Sequence, residues 1–304
     1  MPDYMIRVTA AKDTIRAFAI TAKDTVEEAR TRHNTSAVVT AALGRLLCGA
    51  AMMSMMEKED NGLITVQVIG DGPIGGVTVT ASPDGILKGF ANETDVEVPL
   101  KHKGKLDVGA AVGNGILRVM RERRPNEEDA FAGRGEPYVG TVQLVSGEIA
   151  EDLTYYFAQS EQTPSAVGLG VLIDTDISVR CAGGFIVQLM PDVSDEDIAL
   201  LERNIQNIRP VTELLDEGMT PERLLRELLA GMEQTVLERR EVSYRCDCSK
   251  ERVTKSLVAL PKSDLQEMVD DGKPVEVRCQ FCSDRYVFSI EEIRRCLSGG
   301  LNSY

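Results

Sequence analysis

A chain of 304 residues, 43% hydrophobic and 27% charged, is long enough for one to three globular domains with a sizeable core. Its net charge of −14 and pI near 4.8 exclude the basic face that a nucleic-acid or anionic-membrane partner requires.

The start, MPDYMIRVTAAKD, lacks a basic segment followed by an apolar one, so no secretory signal is expected and the expected compartment is a reducing cytoplasm. Residues 4–22 read as two short strands, YMIRVTA and TIRAFAITA, separated by the turn-like AKD. Helices are predicted at about 25–32 and 35–56. The run 36–56, SAVVTAALGRLLCGAAMMSMM, has the length of a bilayer span, but Arg45 sits within it and half its residues are small. It is expected to be a buried core helix. Strands are predicted for LITVQVIG at 63–70 and GGVTVTA at 75–81, then a turn at Ser82-Pro83-Asp84-Gly85 and a strand in ILKGFAN. GILRVM reads as a strand, and the polar segment 121–137 as an exposed, insertion-like loop. TVQLVSG, a short helix in EIAEDLTYYFAQSEQ, and two strands, VGLGVLID and SVRCAGGFIVQLM, complete a mixed region. Helices and strands without a strict βαβ rhythm predict an α+β fold.

After Pro191 the pattern becomes helical. Ser194 and Asp197 give SDEDIALLERNIQNI a capping-box-like start, and its apolar positions 198, 201, 205 and 208 share one face. Pro210 ends this helix, VTELLDEG is closed by Gly218, and TPERLLRELLAG runs from Thr220 and Pro221 to Gly231. The strand-like EVSYRC then leads into a cysteine-rich end. The predicted organisation is a core domain at 1–191, a helical linker at 192–240 and a small domain at 241–304.

Four of the seven cysteines lie in this last domain, as Cys246-x-Cys248 and, after thirty residues, Cys279-x-x-Cys282. Two paired positions are what one tetrahedral four-thiolate zinc site needs. The CxxC pair lies between strand-like EVR and RYVFS, as in a zinc knuckle, whereas a thioredoxin-type CxxC opens a helix. The CxC pair is tighter than a structural ribbon requires. In an extended strand its Cα atoms stand roughly 6.6 Å apart, near the upper limit for a disulfide. A bridge between Cys246 and Cys248 would be strained and easily reduced, which suits a reversible switch. Arg245, Lys250, Arg278 and Arg285 adjoin the cysteines, either to offset thiolate charge or as ordinary surface residues. From Tyr244 onward ten Lys/Arg balance ten Asp/Glu, so this region has no basic face for nucleic acid.

Other motifs carry less. Gly70-Asp71-Gly72-Pro73-Ile74-Gly75 spells GxGxxG, but a strand follows where a nucleotide site needs a helix, so a β-turn is expected. Met52, Met53, Met55 and Met56 are expected in the core, and Cys48, Cys181 and Cys296 as small apolar residues. Ser146, Ser160 and Ser165 have no histidine close in sequence, and His33 and His102 read as structural or exposed. No acid–base pair stands out, so no enzyme is expected.

The pattern RCDCSKERV … EVRCQFCSDRYVF closely resembles the bacterial redox-regulated heat-shock chaperone family of about 33 kDa. TRHNTSAVVTAALGRLL, GDGPIGG, GKLDVGAAVG, LVSGEIAEDLTYYFAQSEQTPSAVGLGV, GGFIVQLMP and GMTPERLL resemble the same family in the same order, over nearly the whole chain. The segment around 121–137 departs from it. The resemblance implies an ATP-independent holdase, inactive while Cys246, Cys248, Cys279 and Cys282 hold one zinc ion. It further implies that oxidants form Cys246–Cys248 and Cys279–Cys282 disulfides and expel the metal. The zinc domain and linker then unfold, the protein dimerises, and unfolding client proteins are bound. Two rival readings predict otherwise: a thiol–disulfide oxidoreductase turns over small disulfides without zinc, and a zinc-ribbon binding module keeps its metal under oxidation.

Overall fold

The structure, a computed structural model, describes residues 2–57, 62–101, 104–123 and 137–298. Residues up to Arg245 form one compact unit and those from Cys246 a second.

The first unit contains two sheets. β1 (Tyr4–Ala10) and β2 (Ile15–Thr21) form a hairpin whose turn residues Ala11, Lys12 and Asp13 are all left-handed, with φ of 51°, 57° and 68°. A strand's period of two sends Tyr4, Ile6, Val8 and Ala10 to one apolar cluster and Met5 to another. On β2, Ile15, Ala17 and Ala19 join the first cluster, and Phe18 and Ile20 the second. Both faces of this sheet are therefore covered. With β8 (Ser165–Ile173), β9 (Val179–Leu189) and β10 (Gln234–Glu241) the order is β10-β1-β2-β9-β8, antiparallel throughout.

The second sheet has the order β11-β5-β4-β3-β6-β7. It uses β3 (Gly62–Gly70), β4 (Val77–Ala81), β5 (Ile86–Ala91), β6 (Gly115–Arg123), β7 (Tyr138–Gln143) and β11 (Ser243–Tyr244). Only β11 against β5 is parallel. β6 continues through residues 121–123, which the sequence placed in a loop. Arg121 is held there by Glu57 at 2.8 Å and by Glu161. Of the rest of that predicted loop, residues 124–136 lie outside the described residues and Pro137 is exposed just before β7.

α1 (Lys23–His33) precedes α2 (Ala37–Ser54), which packs against strands of both sheets. All of α2 is buried except Ala37 and Arg45. It has the length and apolarity of a membrane span, yet 89% of it is buried inside the protein, as a core helix requires. Arg45 is accommodated by the Glu148 carboxylate at 2.6 Å. α3 (Val108–Val112) and α4 (Ala150–Gln159) also pack on α2.

α5 (Asp195–Asn207), α6 (Val211–Asp216) and α7 (Pro221–Leu228) belong to the first unit. Their capping residues act as the sequence predicts: Ser194 accepts from the Asp197 N–H and Thr220 from that of Arg223. Leu201, Leu214, Leu224, Leu225 and Leu228 close over the outer face of the first sheet, beside Ile6, Val8 and Phe185. β10 follows within the segment assigned to the linker. It is an edge strand with Val236 and Leu237 exposed, and pairing with β1 makes it a strand.

The second unit contains α8 (Lys250–Val258), α9 (Lys262–Asp270), a hairpin of β12 (Val275–Arg278) and β13 (Arg285–Phe288), and α10 (Ile290–Leu297). Among the described residues its core cluster has five buried side chains, Leu257, Leu265, Phe288, Ile293 and Cys296, with partly buried apolar ones such as Val253, Met268 and Val277 packed on them.

Candidate metal centre

Two local structures present the four cysteines. Cys246 and Cys248 lie in the irregular segment before α8, whose start is capped by Ser249 accepting from the Arg252 N–H at 3.3 Å. Arg252 turns back to the Asp247 carboxylate and donates to its carbonyl at 3.0 Å, which pins the residue between the two thiols. Cys279 and Cys282 occupy the β12–β13 turn. The Cys279 N–H donates to the Asp284 carbonyl at 2.9 Å, and its carbonyl accepts from Ser283 at 2.8 Å. Ser283 closes this knuckle in the left-handed region at φ 63°.

The four Sγ atoms lie within 4.8 Å of one another. The shortest contacts run between the pairs, Cys246 to Cys279 at 3.8 Å and Cys248 to Cys282 at 3.2 Å. A tetrahedral zinc with bonds of about 2.3 Å sets sulfur–sulfur edges of about 3.8 Å, so the spacing suits such an ion. Cys282 is buried and the other three are half-buried.

Sequence reasoning missed Tyr286. It pairs with Val277 in the hairpin, and its hydroxyl lies 3.0 Å from Cys248 Sγ. A tyrosine in a strand ordinarily reads as core, and this ring does pack on the unit's apolar cluster. Its position four residues after Cys282 is the one available signal, and a weak one. Of the four neighbouring cations, Lys250 pairs with Glu292 at 2.7 Å and Arg285 with Glu276 at 3.6 Å. These two are engaged by carboxylates of their own unit.

The thiol electrostatics favour a cation. Burial, reinforced by neighbouring sulfurs, pushes the Cys246 thiol up to about 11 and Cys282 further. Cys248 moves the other way: against the cost of burial, hydrogen bonds from Tyr286 and the adjacent thiols hold it below its ordinary value. Alone, this cluster resists carrying four negative charges, and a coordinated dication is what turns such thiols into thiolates. The donor set, all sulfur and two-by-two, matches a structural zinc site.

The other candidates fall outside any such constellation. His33 is buried, with Nε2 2.9 Å from the Tyr244 hydroxyl, while His102 lies outside the described residues. Ser146 accepts from the Glu148 N–H and Ser165 donates to the Thr163 carbonyl. The GxGxxG glycines serve close backbone approach: Gly72 donates to the Val112 carbonyl at 2.9 Å, and a Cβ on Gly70 would stand 2.0 Å from that oxygen. Met52, Met53 and Met55 are core residues. Cys48 and Cys181 are buried thiols whose ionisation is suppressed, and Cys296 belongs to the small core of the second unit.

Comparison with known proteins agrees with this arrangement. A 33 kDa chaperonin of Lachnoclostridium phytofermentans is 53% identical over 294 residues, covering 97% of this chain and 98% of that protein. One from Clostridioides difficile is 47% identical, covering 98% and 99%. The crystal structure of a 33 kDa chaperonin (heat shock protein 33 homolog) from Thermotoga maritima superposes with a TM-score of 0.89 at 37% identity, covering all of both chains. Residues 3–289 match the family described as Hsp33 protein, and with relatives this similar over nearly the full length, the chain belongs to that family.

Proposed function

We propose that the protein is a redox-regulated, ATP-independent chaperone of the holdase type. The observation that carries this reading is four sulfurs within 4.8 Å, in a unit that has five buried core side chains among the described residues. In the reduced protein Cys246, Cys248, Cys279 and Cys282 hold one zinc ion, which supplies the charge that keeps four thiolates together. So small a core cannot offset the conformational entropy of its chain, and metal binding is then folding free energy.

Oxidation of Cys246 with Cys248, and of Cys279 with Cys282, removes the ligands in neighbouring pairs. The unit loses its metal and its fold. Residues 192–240, which precede it in the chain, act as a linker whose helices then loosen from the first sheet. Their leucines and the outer face of β1 and β2 become available to apolar segments of unfolding client proteins. The activated form dimerises, and the compartment is the cytoplasm. The CxxC pair lies in a hairpin turn rather than at a helix start, so it lacks the setting of a thiol oxidoreductase.

The test treats zinc-loaded protein with hydrogen peroxide under mild heat, following zinc release and light scattering of a thermally unfolding client in one sample. Zinc release should coincide with suppressed aggregation. Release without suppression would sink the holdase reading, and zinc retained under oxidation would favour a plain binding module.

A further inference from the structure

The hairpin end of β1 and β2 carries charge where the rest of the same face is apolar. On the face that gives Met5, Phe18, Ile20 and Ile186 to one apolar cluster, the strand period of two also places Arg7, Thr9, Arg16 and Gln188. Thr9 is directly opposite Arg16, and Arg7 is the next residue of β1 on that face, opposite Phe18. The Arg16 guanidinium donates to Gln188 Oε1 at 2.6 and 3.2 Å, and the Gln188 amide donates to Ser165 at 3.1 Å. That partner is neutral. Among the described residues neither Arg7 nor Arg16 is paired with a carboxylate. Glu161, which acts on Arg16 from a distance, is bonded to Arg121, and Glu238, opposite Arg7 on β10, is bonded to Arg240. Burial lowers the Arg16 pKa, and the Arg7 charge lowers it further. Arg7 Nε and Thr9 Oγ1 are buried with no hydrogen-bond partner, and Thr9 is only 8% exposed. Two half-buried guanidinia and a buried hydroxyl therefore lie side by side with donors and no anionic acceptor. Like charges and unpaired donors are both costly away from water.

We propose that Arg7, Thr9 and Arg16 form a binding site for a phosphate-type oxyanion, separate from the cysteine chemistry of the second unit. A tetrahedral oxyanion brings the acceptors that the three side chains lack. The guanidinium forks give charge-assisted bonds to its oxygens, and the threonine hydroxyl supplies a neutral one. A water molecule can accept from Arg7 or Thr9, but it brings no charge to set against two cations. Glu161 and Glu238 do not fill this role, since each already holds another arginine. The site is local and needs no basic face, so it is compatible with a net charge of −14. Free orthophosphate and the terminal group of a longer phosphate chain present the same oxygens to it. Because the anion binds the folded sheet, occupancy stabilises the first unit. Without the anion, the same three residues weaken the hairpin that carries them.

The test uses the full-length reduced protein in oxyanion-free buffer, with ionic strength held constant by chloride. Orthophosphate and tripolyphosphate are titrated by calorimetry, and thermal midpoints are measured with and without each. The parent should bind one anion per chain and melt at a higher temperature when it is bound. Tighter binding of tripolyphosphate at the same site assigns the end of a phosphate chain, and equal or weaker binding assigns the free ion. Arg7→Met should weaken binding by about 10–100-fold and Thr9→Val by about 2–10-fold. In oxyanion-free buffer both variants should melt no lower than the parent, because each removes an unpaired donor. Added phosphate should reverse that order. Arg203→Gln, which removes an exposed charge on α5, should bind as the parent does. No saturable binding and no thermal shift in the parent at about 10 mM phosphate, well above a millimolar Kd, overturns the proposal whether or not the variants fold. Variants that melt below the parent by the same margin with and without phosphate assign Arg7 and Thr9 a purely structural role and overturn it as well. Equal loss of binding in Arg203→Gln reduces the effect to net charge, with the same consequence.

Discussion

Asp152 has no exposed surface, yet its carboxylate is fully engaged. Oδ1 accepts the N–H groups of Val145, Ser146 and Gly147 at 2.7, 3.0 and 3.3 Å, and Oδ2 accepts that of Ile149 at 2.8 Å. This anchors a turn in which Ile149 sits left-handed at φ 72°. Asp152→Ala would leave four donors stranded and should cost roughly 3 kcal/mol or more, read as a lower urea midpoint. Asp152→Asn keeps one acceptor oxygen and should cost less. Glu148 is the neighbouring case with a pH signature. Burial alone would raise its pKa, but Arg45 and Lys101 hold it below the ordinary 4.5. A depressed acid contributes stability that is present above the unfolded value and is lost as pH falls through the folded one. Glu148→Gln should therefore be less stable than the parent at pH 7, and the gap should close below about pH 4.5 in pH-dependent denaturant titrations. Neither carboxylate was legible in the sequence. The partners of Asp152 are backbone groups selected by a turn, and Arg45 lies 103 positions from Glu148. The cysteines were legible because their spacing is local and the chemistry of four paired thiols is narrow.

At the scale of elements, the same distinction separates what could be read from what could not. α5 and α7 announce themselves through Ser194, Thr220 and Pro221, whose capping acts within one turn of chain. β1 and β2 are legible from their apolar runs, but the need for a second apolar layer outside them appears only when α6 and α7 cover Ile6, Val8 and Phe185. β10 escaped notice because QTVLERRE is half charged, and its strand state comes from β1. α8, α9 and α10 are eight or nine residues each, too short to hold as isolated helices, and they depend on one another and on the hairpin. Leu224 is a direct probe of the outer layer, since it is fully buried between α7 and the first sheet. Leu224→Ala should cost about 2–5 kcal/mol of local docking. Hydrogen exchange should quicken across α5–α7 before it does in β2 and β9. The reduced, metal-loaded variant should also slow client aggregation without oxidant. Faster exchange with no gain in protection would show that clients are gripped elsewhere.

For the whole molecule, stability is unevenly divided. α2 lies within a cluster drawn from both sheets of the first unit, whereas five residues form the core of the second. The acidic excess also belongs to the first unit, because the chain from Tyr244 onward has balanced charge. Self-repulsion therefore does not drive the second unit apart, and under the proposed function the metal would be the term that decides whether it folds. A ligand that binds only the folded form stabilises it by about 2.7 kcal/mol at a hundredfold excess over its Kd, and structural zinc sites operate far beyond that. Stripping zinc from reduced protein with a chelator should therefore abolish exchange protection in α8, α9 and α10 and leave that of α2 and β2 intact. Circular dichroism should show a partial loss of helix, and heating should then give one remaining cooperative transition, from the first unit. Peroxide should produce the same pattern, and reductant with zinc should restore it, whereas reductant alone should not. Persistent protection of α8–α10 in metal-free protein would mean that the five-residue core folds unaided, and the coupling of thiol chemistry to unfolding would lose its physical basis.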